Sequence, residues 1–168
     1  MTLKIALGQL LVESGHPSVN VQKMKNMIAQ AKEDGADIIV FPQMCVGGYF
    51  LADKWYSSEW RKELLFYNDE IAGCSDGSGV VWDNIYEENS IVFDAGYYAH
   101  NKEITYIQPK QNLQQTGVYN DGRYLTAQAS NCAFVFEKDG QQHIMGIVVG
   151  DDLYNDKVME RLVACDYI

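Results

Sequence analysis

Residues 38–41 read Ile-Ile-Val-Phe, a continuous apolar run too short for a helix, set between Gly35-Ala36-Asp37 and Pro42. A run that is apolar on both faces predicts a strand covered from both sides, the situation of a sheet lying between other layers. What precedes it has a different period. Val21, Met24, Ile28 and Ala31 recur on one face of a predicted helix that Ser18 or Asn20 caps, that runs to about Asp34 and that Gly35 closes. With a first strand over Lys4–Leu11, the N-terminal part reads strand, helix, strand. A second helix follows, capped by Ser57 or Ser58 and carrying Trp60, Leu64 and Ile71, and then a turn at Asp76-Gly77-Ser78-Gly79. This alternation predicts an α/β layered domain.

The remaining residues are strand-rich. Strands are predicted over Val80–Trp82, Ile91–Tyr98 and Glu103–Ile107, the last two joined at His100-Asn101-Lys102. Cys132–Glu137 and His143–Val149 read as a hairpin through Asp139-Gly140, and a last helix spans about Asp156–Cys165. Residues 109–129 are long, polar and irregular, the mark of a functional loop in a compact domain. Neither a repeat nor a linker divides the 168 residues, so one domain over 1–168 is expected.

Charge narrows the partners. The net charge is −10 at pH 7, which repels phosphate backbones and anionic lipid heads, so neither nucleic acid nor membrane is an expected partner. Cys45, Cys74, Cys132 and Cys165 form no C-x-x-C pair and no zinc spacing. The N-terminus reads as a strand rather than a signal peptide, and a cytoplasmic location with reduced thiols is expected. His16, His100 and His143 read as surface residues, and Asp151, Asp152 and Asp156 as helix-capping acids rather than a calcium loop. No metal or cofactor is expected.

Three segments stand out: FPQMCVGGY at 41–49, KQNLQQTGVYNDGRY at 110–124, and GIVVGDD at 146–152. In this order and separation they resemble the nitrilase (carbon–nitrogen hydrolase) superfamily, and within it the N-terminal glutaminase domain of glutamine-dependent NAD synthetases. The resemblance runs over essentially the whole chain. It implies an α-β-β-α sandwich and a site built from a cysteine nucleophile, a glutamate base and a lysine that stabilises the oxyanion. The lysine falls on Lys110, the glutamate on Gln43 and the cysteine on Gly150. Two substrate-side positions fall on Thr116 and Asp121, where the family has a tyrosine and a second glutamate.

A carboxamide exchanges no proton near pH 7, and glycine has no nucleophile. The resemblance therefore implies a catalytically inactive homologue that acts by association or by binding glutamine or another small amide. Two further readings are a working glutaminase module completed by another chain, and a purely structural subunit. The family's domain runs roughly 100 residues longer, beyond the ~100–150-residue modal domain, so a C-terminally incomplete sandwich without the synthetase domain is expected. The inner sheet face, with Ile5, Leu7, Ile39, Phe93 and Val148, and an open edge beside 143–149 would then need a cover, and a homo-oligomer or a protein partner is expected.

Overall fold

The computed structural model describes residues 3–130 and 133–168. Strands β1 (Ile5–Leu7), β2 (Ile38–Val40), β3 (Gly79–Glu88), β4 (Ile91–His100) and β5 (Glu103–Pro109) form one sheet in the order β1-β2-β3-β4-β5. The first three are parallel and the last two pairings antiparallel. Helices α1 (Pro17–Glu33) and α2 (Ser58–Ala72) make the two crossovers. Both crossovers step in the same direction along the sheet, and a fixed hand then puts both helices on one face. Their buried side chains, among them Met24, Ile28, Leu64 and Ile71, pack with Ile39, Val80, Trp82, Ala95 and Tyr97. On the other face β6 (Ala133–Lys138) and β7 (Gln141–Gly146) form a two-stranded ribbon. Phe136, Met145, Ile147 and Val149 pack there against Ile38 and Tyr98. The alternate residues of β2 and β4 thus feed two cores, as the period of a strand requires.

Several boundaries differ from the sequence reading. Helix α1 starts at Pro17, whose fixed φ and missing N–H suit the first helical position, and His16 at the cap makes no side-chain bond. Neither Ser18 nor Asn20 caps it. Asn20 is buried inside the helix, where its Oδ1 accepts from Glu13 N at 2.8 Å and its Nδ2 donates to the carbonyls of Glu13 and Val46, each at 2.9 Å. It ties the turn before α1 to the segment after β2. The cap on α2 is Ser57, whose hydroxyl accepts from Trp60 N at 3.3 Å.

Strand β3 runs six residues beyond the expected Trp82, because polar residues sit in its centre. Asn84 donates to Leu64 O at 2.7 Å and to Asn68 Oδ1 at 2.9 Å, so it serves as a buried link to α2 rather than a break. The β3–β4 turn places Asn89 and Ser90, both at positive φ, where the sequence carried no glycine signal. The hairpin turn at Asp139-Gly140 is as expected, whereas Cys132, the expected first residue of β6, lies outside the described residues. The last helix, α3 (Asp156–Leu162), is shorter than expected and capped by Asn155, which accepts from Lys157 N at 3.1 Å.

The expected strand His143–Val149 divides. Its first part belongs to β7, while Ile147–Val149 makes no ladder and lies against the sheet. Gly96 permits this approach: a Cβ there would stand 2.7 Å from Ile147 Cγ2. The far edge of β7 is taken up by the chain's own C-terminal residues, since Gly146 N donates to Tyr167 O at 2.8 Å and Asp166 N to Ile144 O at 2.7 Å. Of the residues expected on an open inner face, Ile39 and Phe93 are buried and Val148 half-buried, whereas Ile5 and Leu7 are 43% and 70% exposed. Ile39 points to the helices because its register partner Ala6, not Ile5 or Leu7, shares its face.

Truncation of the latch at Asn20 leaves the buried carbonyl of Val46 and the part-buried N–H of Glu13 without the partners they have here, while the Glu13 carbonyl keeps His16 N. Asn20→Ala is expected to cost about 2–3 kcal/mol, measured by urea unfolding, with the far-UV spectrum unchanged. A loss below about 0.5 kcal/mol, the size of a neutral surface change, would show that water replaces these bonds.

Candidate functional site

Three loops meet at one end of the sheet: the turn after β2, the irregular segment after β5, and the 3₁₀ turn at Gly150–Tyr154. Each is held by a buried aspartate, two through the carboxyl group and one through the backbone. Asp83 of β3 holds the first through Met44 N, which donates to its Oδ1 at 2.7 Å. Asp94 of β4 accepts Lys110 N at its backbone oxygen at 2.8 Å. Asp152 of the 3₁₀ turn accepts from the backbone of Gln111 at 2.9 Å and Asn112 at 2.6 Å, which binds the lysine loop to the Gly150 turn. Burial pushes the Asp152 carboxyl up, and these backbone N–H groups partly counter it.

Lys110 is 2% exposed. Its Nζ lies 2.7 Å from Asp121 Oδ2 and 3.8 Å from Asp94 Oδ2. Burial works against the ammonium, but the bond to Asp121 and the charge of Asp94 outweigh it and hold Lys110 above the ordinary lysine value. Asp121 also accepts from Gln114 N at 3.0 Å and from the Tyr49 hydroxyl. Gln43 donates from Nε2 to Asp94 Oδ2 at 2.6 Å. Asp94 is therefore the common partner of Gln43 and Lys110.

The third expected position is defined by Gln43 as well. Gly150 sits at φ +53°, in the left-handed region that favours glycine, and a Cβ built on it would lie 2.4 Å from Gln43 Oε1. The carboxamide occupies the space that a side chain at 150 would need. Gln43 and Lys110 thus line, with Tyr49, Tyr119, Asp121 and Asp151 of the Gly150 turn, a cleft of about 320 Å³, whereas Gly150 itself lines, again with Gln43, a second cleft of about 340 Å³.

The other expectations fall differently. Thr116 is exposed on the loop, accepts from Gln114 Nε2 at 3.2 Å and does not line the Lys110 cleft. Asp121 lines it, but as the ion-pair partner of Lys110. Cys45 is buried with its thiol donating to Asp83 O at 3.4 Å, and burial pushes that thiol far from ionising. Among the described residues no group of three His, Cys, Asp or Glu could hold a metal ion, and no helix is long and apolar enough to cross a membrane. The sequence reading missed Asp83 and Asp94. The available signal was an acid inside each of two apolar strand runs, VVWDNIY and IVFDAGYY.

The buried ion pair makes a direct prediction. Lys110→Met leaves Asp121 and Asp94 without their cation and is expected to cost about 3–5 kcal/mol at pH 7. Pairing it with Asp121→Asn should restore part of that loss in urea unfolding. Because the folded lysine value is raised, the contribution of Lys110 is fully present below its ordinary value of about 10.4 and is lost as pH rises above it. A Lys110→Met protein with wild-type stability would mean that the ion pair is not formed.

Comparisons agree with this architecture. The model of the family described as "Carbon-nitrogen hydrolase" matches residues 4–140. The glutamine-dependent NAD(+) synthetase of Acinetobacter baylyi is 24% identical over 161 residues, covering 96% of this chain and 29% of that protein. The synthetase of Oryza sativa subsp. indica is 30% identical over 117 residues, which is 64% of this chain and 15% of that one. The chain thus spans under a third of the length of these curated relatives. Among solved structures, the glutamine-dependent NAD+ synthetase of Acinetobacter baumannii in complex with ADP superposes with TM-score 0.85 at 23% identity, over 95% of this chain and 30% of that one. A variant of the amidase from Nesterenkonia sp. AN1 in complex with butyramide does so with TM-score 0.78 at 18% identity, over 95% and 60%. The fold, the order of the three loops and the match over residues 4–140 make this chain a member of the carbon–nitrogen hydrolase family.

Proposed function

We propose that this chain is a nitrilase-fold protein related to the glutaminase domain of NAD synthetase that holds a small amide without hydrolysing it. The observation that carries the reading is the contact between Gln43 and Gly150. At the position where the resemblance places a thiol there is a glycine, and the space beside it is filled by a carboxamide that transfers no proton. Cys45 does not substitute, because its thiol is buried against the Asp83 carbonyl. The Lys110 cleft is at the small end of the range of ligand pockets, which suits an amide of a few heavy atoms. Of its charged lining groups, Asp121 and Asp151 outnumber Lys110, so it favours a neutral or cationic ligand over an anionic one.

The expected result is no ammonia release from glutamine, acetamide or butyramide above the buffer background, together with a rise in melting temperature when a neutral amide is added. Ammonia release that grows with protein concentration and with glutamine would overturn the reading. Gln43→Glu with Gly150→Cys tests the correspondence of positions, although the contact at 150 requires residue 43 to move before a thiol fits.

A second reading is supported by a different observation. Ile5 and Leu7 are exposed on one wall of an apolar cleft of about 340 Å³ whose other wall carries Phe134, Met145, Ile147 and Val149. A cleft of this composition is suited to association with a second copy or a partner polypeptide. Sedimentation at micromolar concentration should then show a species larger than 19.0 kDa, reduced to that mass by Leu7→Glu. A single 19.0 kDa species at all concentrations would leave no support for self-association.

A further inference from the structure

We propose that Asp83 and Asp94 share a single proton at neutral pH, and that this buried carboxyl pair is the joint that positions Gln43 and Lys110. The two acids lie on adjacent antiparallel strands. Asp83 is opposite Gly96 and Asp94 opposite Ile85, so the acids are diagonal neighbours on one face. They are 5% and 0% exposed. Each uses one oxygen outward: Asp83 Oδ1 accepts from Met44 N at 2.7 Å, and Asp94 Oδ2 accepts from Gln43 Nε2 at 2.6 Å and faces Lys110 Nζ at 3.8 Å. The remaining oxygens, Asp83 Oδ2 and Asp94 Oδ1, are buried and meet no donor among the described residues, although the two side chains leave the same face of the sheet at diagonal positions. Two ionised carboxylates so placed would be two acceptors with no donor between them. One proton supplies it, as a charge-assisted O–H···O bond.

The charges around the pair favour the same state. From the lysine loop it faces Lys110 and, beyond it, Asp121; Asp151 of the 3₁₀ turn lies by the lysine. From the turn after β2 it faces Cys45 and Tyr49, and from β4 Tyr97. Burial pushes the last three up, so they are neutral and supply no cation. Among the described residues Lys110 is then the one buried ammonium near four buried carboxyl groups, those of Asp83, Asp94, Asp121 and Asp152. Asp83 lies well above the ordinary carboxylate range because burial and the neighbouring Asp94 charge both disfavour its ionised form. Since the folded value is raised, the stability contributed by the pair is fully present below the unfolded value of about 3.9 and is lost as pH rises through the folded value.

The two acids act through their neighbours and are positioning residues. A test that reads the shared proton itself is carbon-13 NMR of the full chain with labelled aspartate carboxyls. The expected spectrum at pH 7 contains one protonated carboxyl, absent in Asp83→Asn. The Asn amide donates to Asp94 in place of the proton and keeps an oxygen for Met44, so Asp83→Asn should fold, with a flatter dependence of stability on pH than wild type. Asp83→Ala, which can make neither bond, should be less stable than Asp83→Asn. If Asp83→Asn does not fold, Asp94→Asn gives the same reading, because removing the acceptor must abolish or shift the signal. A wild-type protein with every aspartate ionised at pH 7 would overturn the proposal. So would a protonated carboxyl that persists unshifted in whichever of the two Asn variants folds. The measurement needs neither a ligand nor an activity, so it stands apart from the amide-binding reading.

Discussion

The buried ammonium of Lys110 is the interaction on which the end of this sheet depends. An ammonium at this depth is tolerated only with carboxylates in direct contact, and Asp121 and Asp94 supply them from a loop and from a strand. Because those two residues come from different elements, the ion pair also decides where the irregular segment after β5 must lie. Asp121 closes that segment back on itself through Gln114 N, and Asp152 ties its start to the turn at Gly150. Without these anchors a polar stretch of about twenty residues would have little apolar surface to hold it in place.

The same cluster explains why Gln43 sits where it does. Its amide donates to Asp94, and its carbonyl oxygen then points at Gly150. A carboxylate at 43 would meet the Asp94 carboxylate at the same short distance, so a carboxamide there and an acid at 94 are chemically consistent with one another. The missing side chain at 150 is consistent with both, since the space is already taken. Gln43, Asp94 and Gly150 therefore form one packed arrangement rather than three independent positions. This is why the reading as a binder rests on their contact and not on the residue types alone.

Above this end, the two cores divide the labour. The core between sheet and helices is closed and includes a buried polar link of Asn68, Trp82 and Asn84, which fixes α2 against β3. The core under the β6–β7 ribbon is smaller, and it merges into an apolar cleft bordered by the exposed Ile5 and Leu7. The asymmetry follows from lengths. Strands β1 and β2 have three residues each, whereas β3 and β4 have ten, so the ribbon side of the short strands has less to pack against.

By itself the sequence determined the layered α/β class, the order of the elements and the three segments that converge. Each of these is a local property: the period of an amphipathic helix, an apolar run bounded by Gly35 and Pro42, a turn at Asp139-Gly140, or a motif at fixed spacing. It did not determine the start of α1, the full length of β3, or the role of Asn20, Asp83 and Asp94. On a local rule Asn20 looks like a cap and Asp83 like the end of a strand, because a polar side chain in an apolar run signals an interruption, while Asp94 lies inside a predicted strand with nothing local to mark a role. Only the tertiary structure gives them partners far away in the chain, such as Val46 for Asn20, Met44 for Asp83 and Lys110 for Asp94. A buried polar group is stable only with its bonds made, and which bonds are within reach is decided by the packing of strands and loops, not by neighbours in sequence.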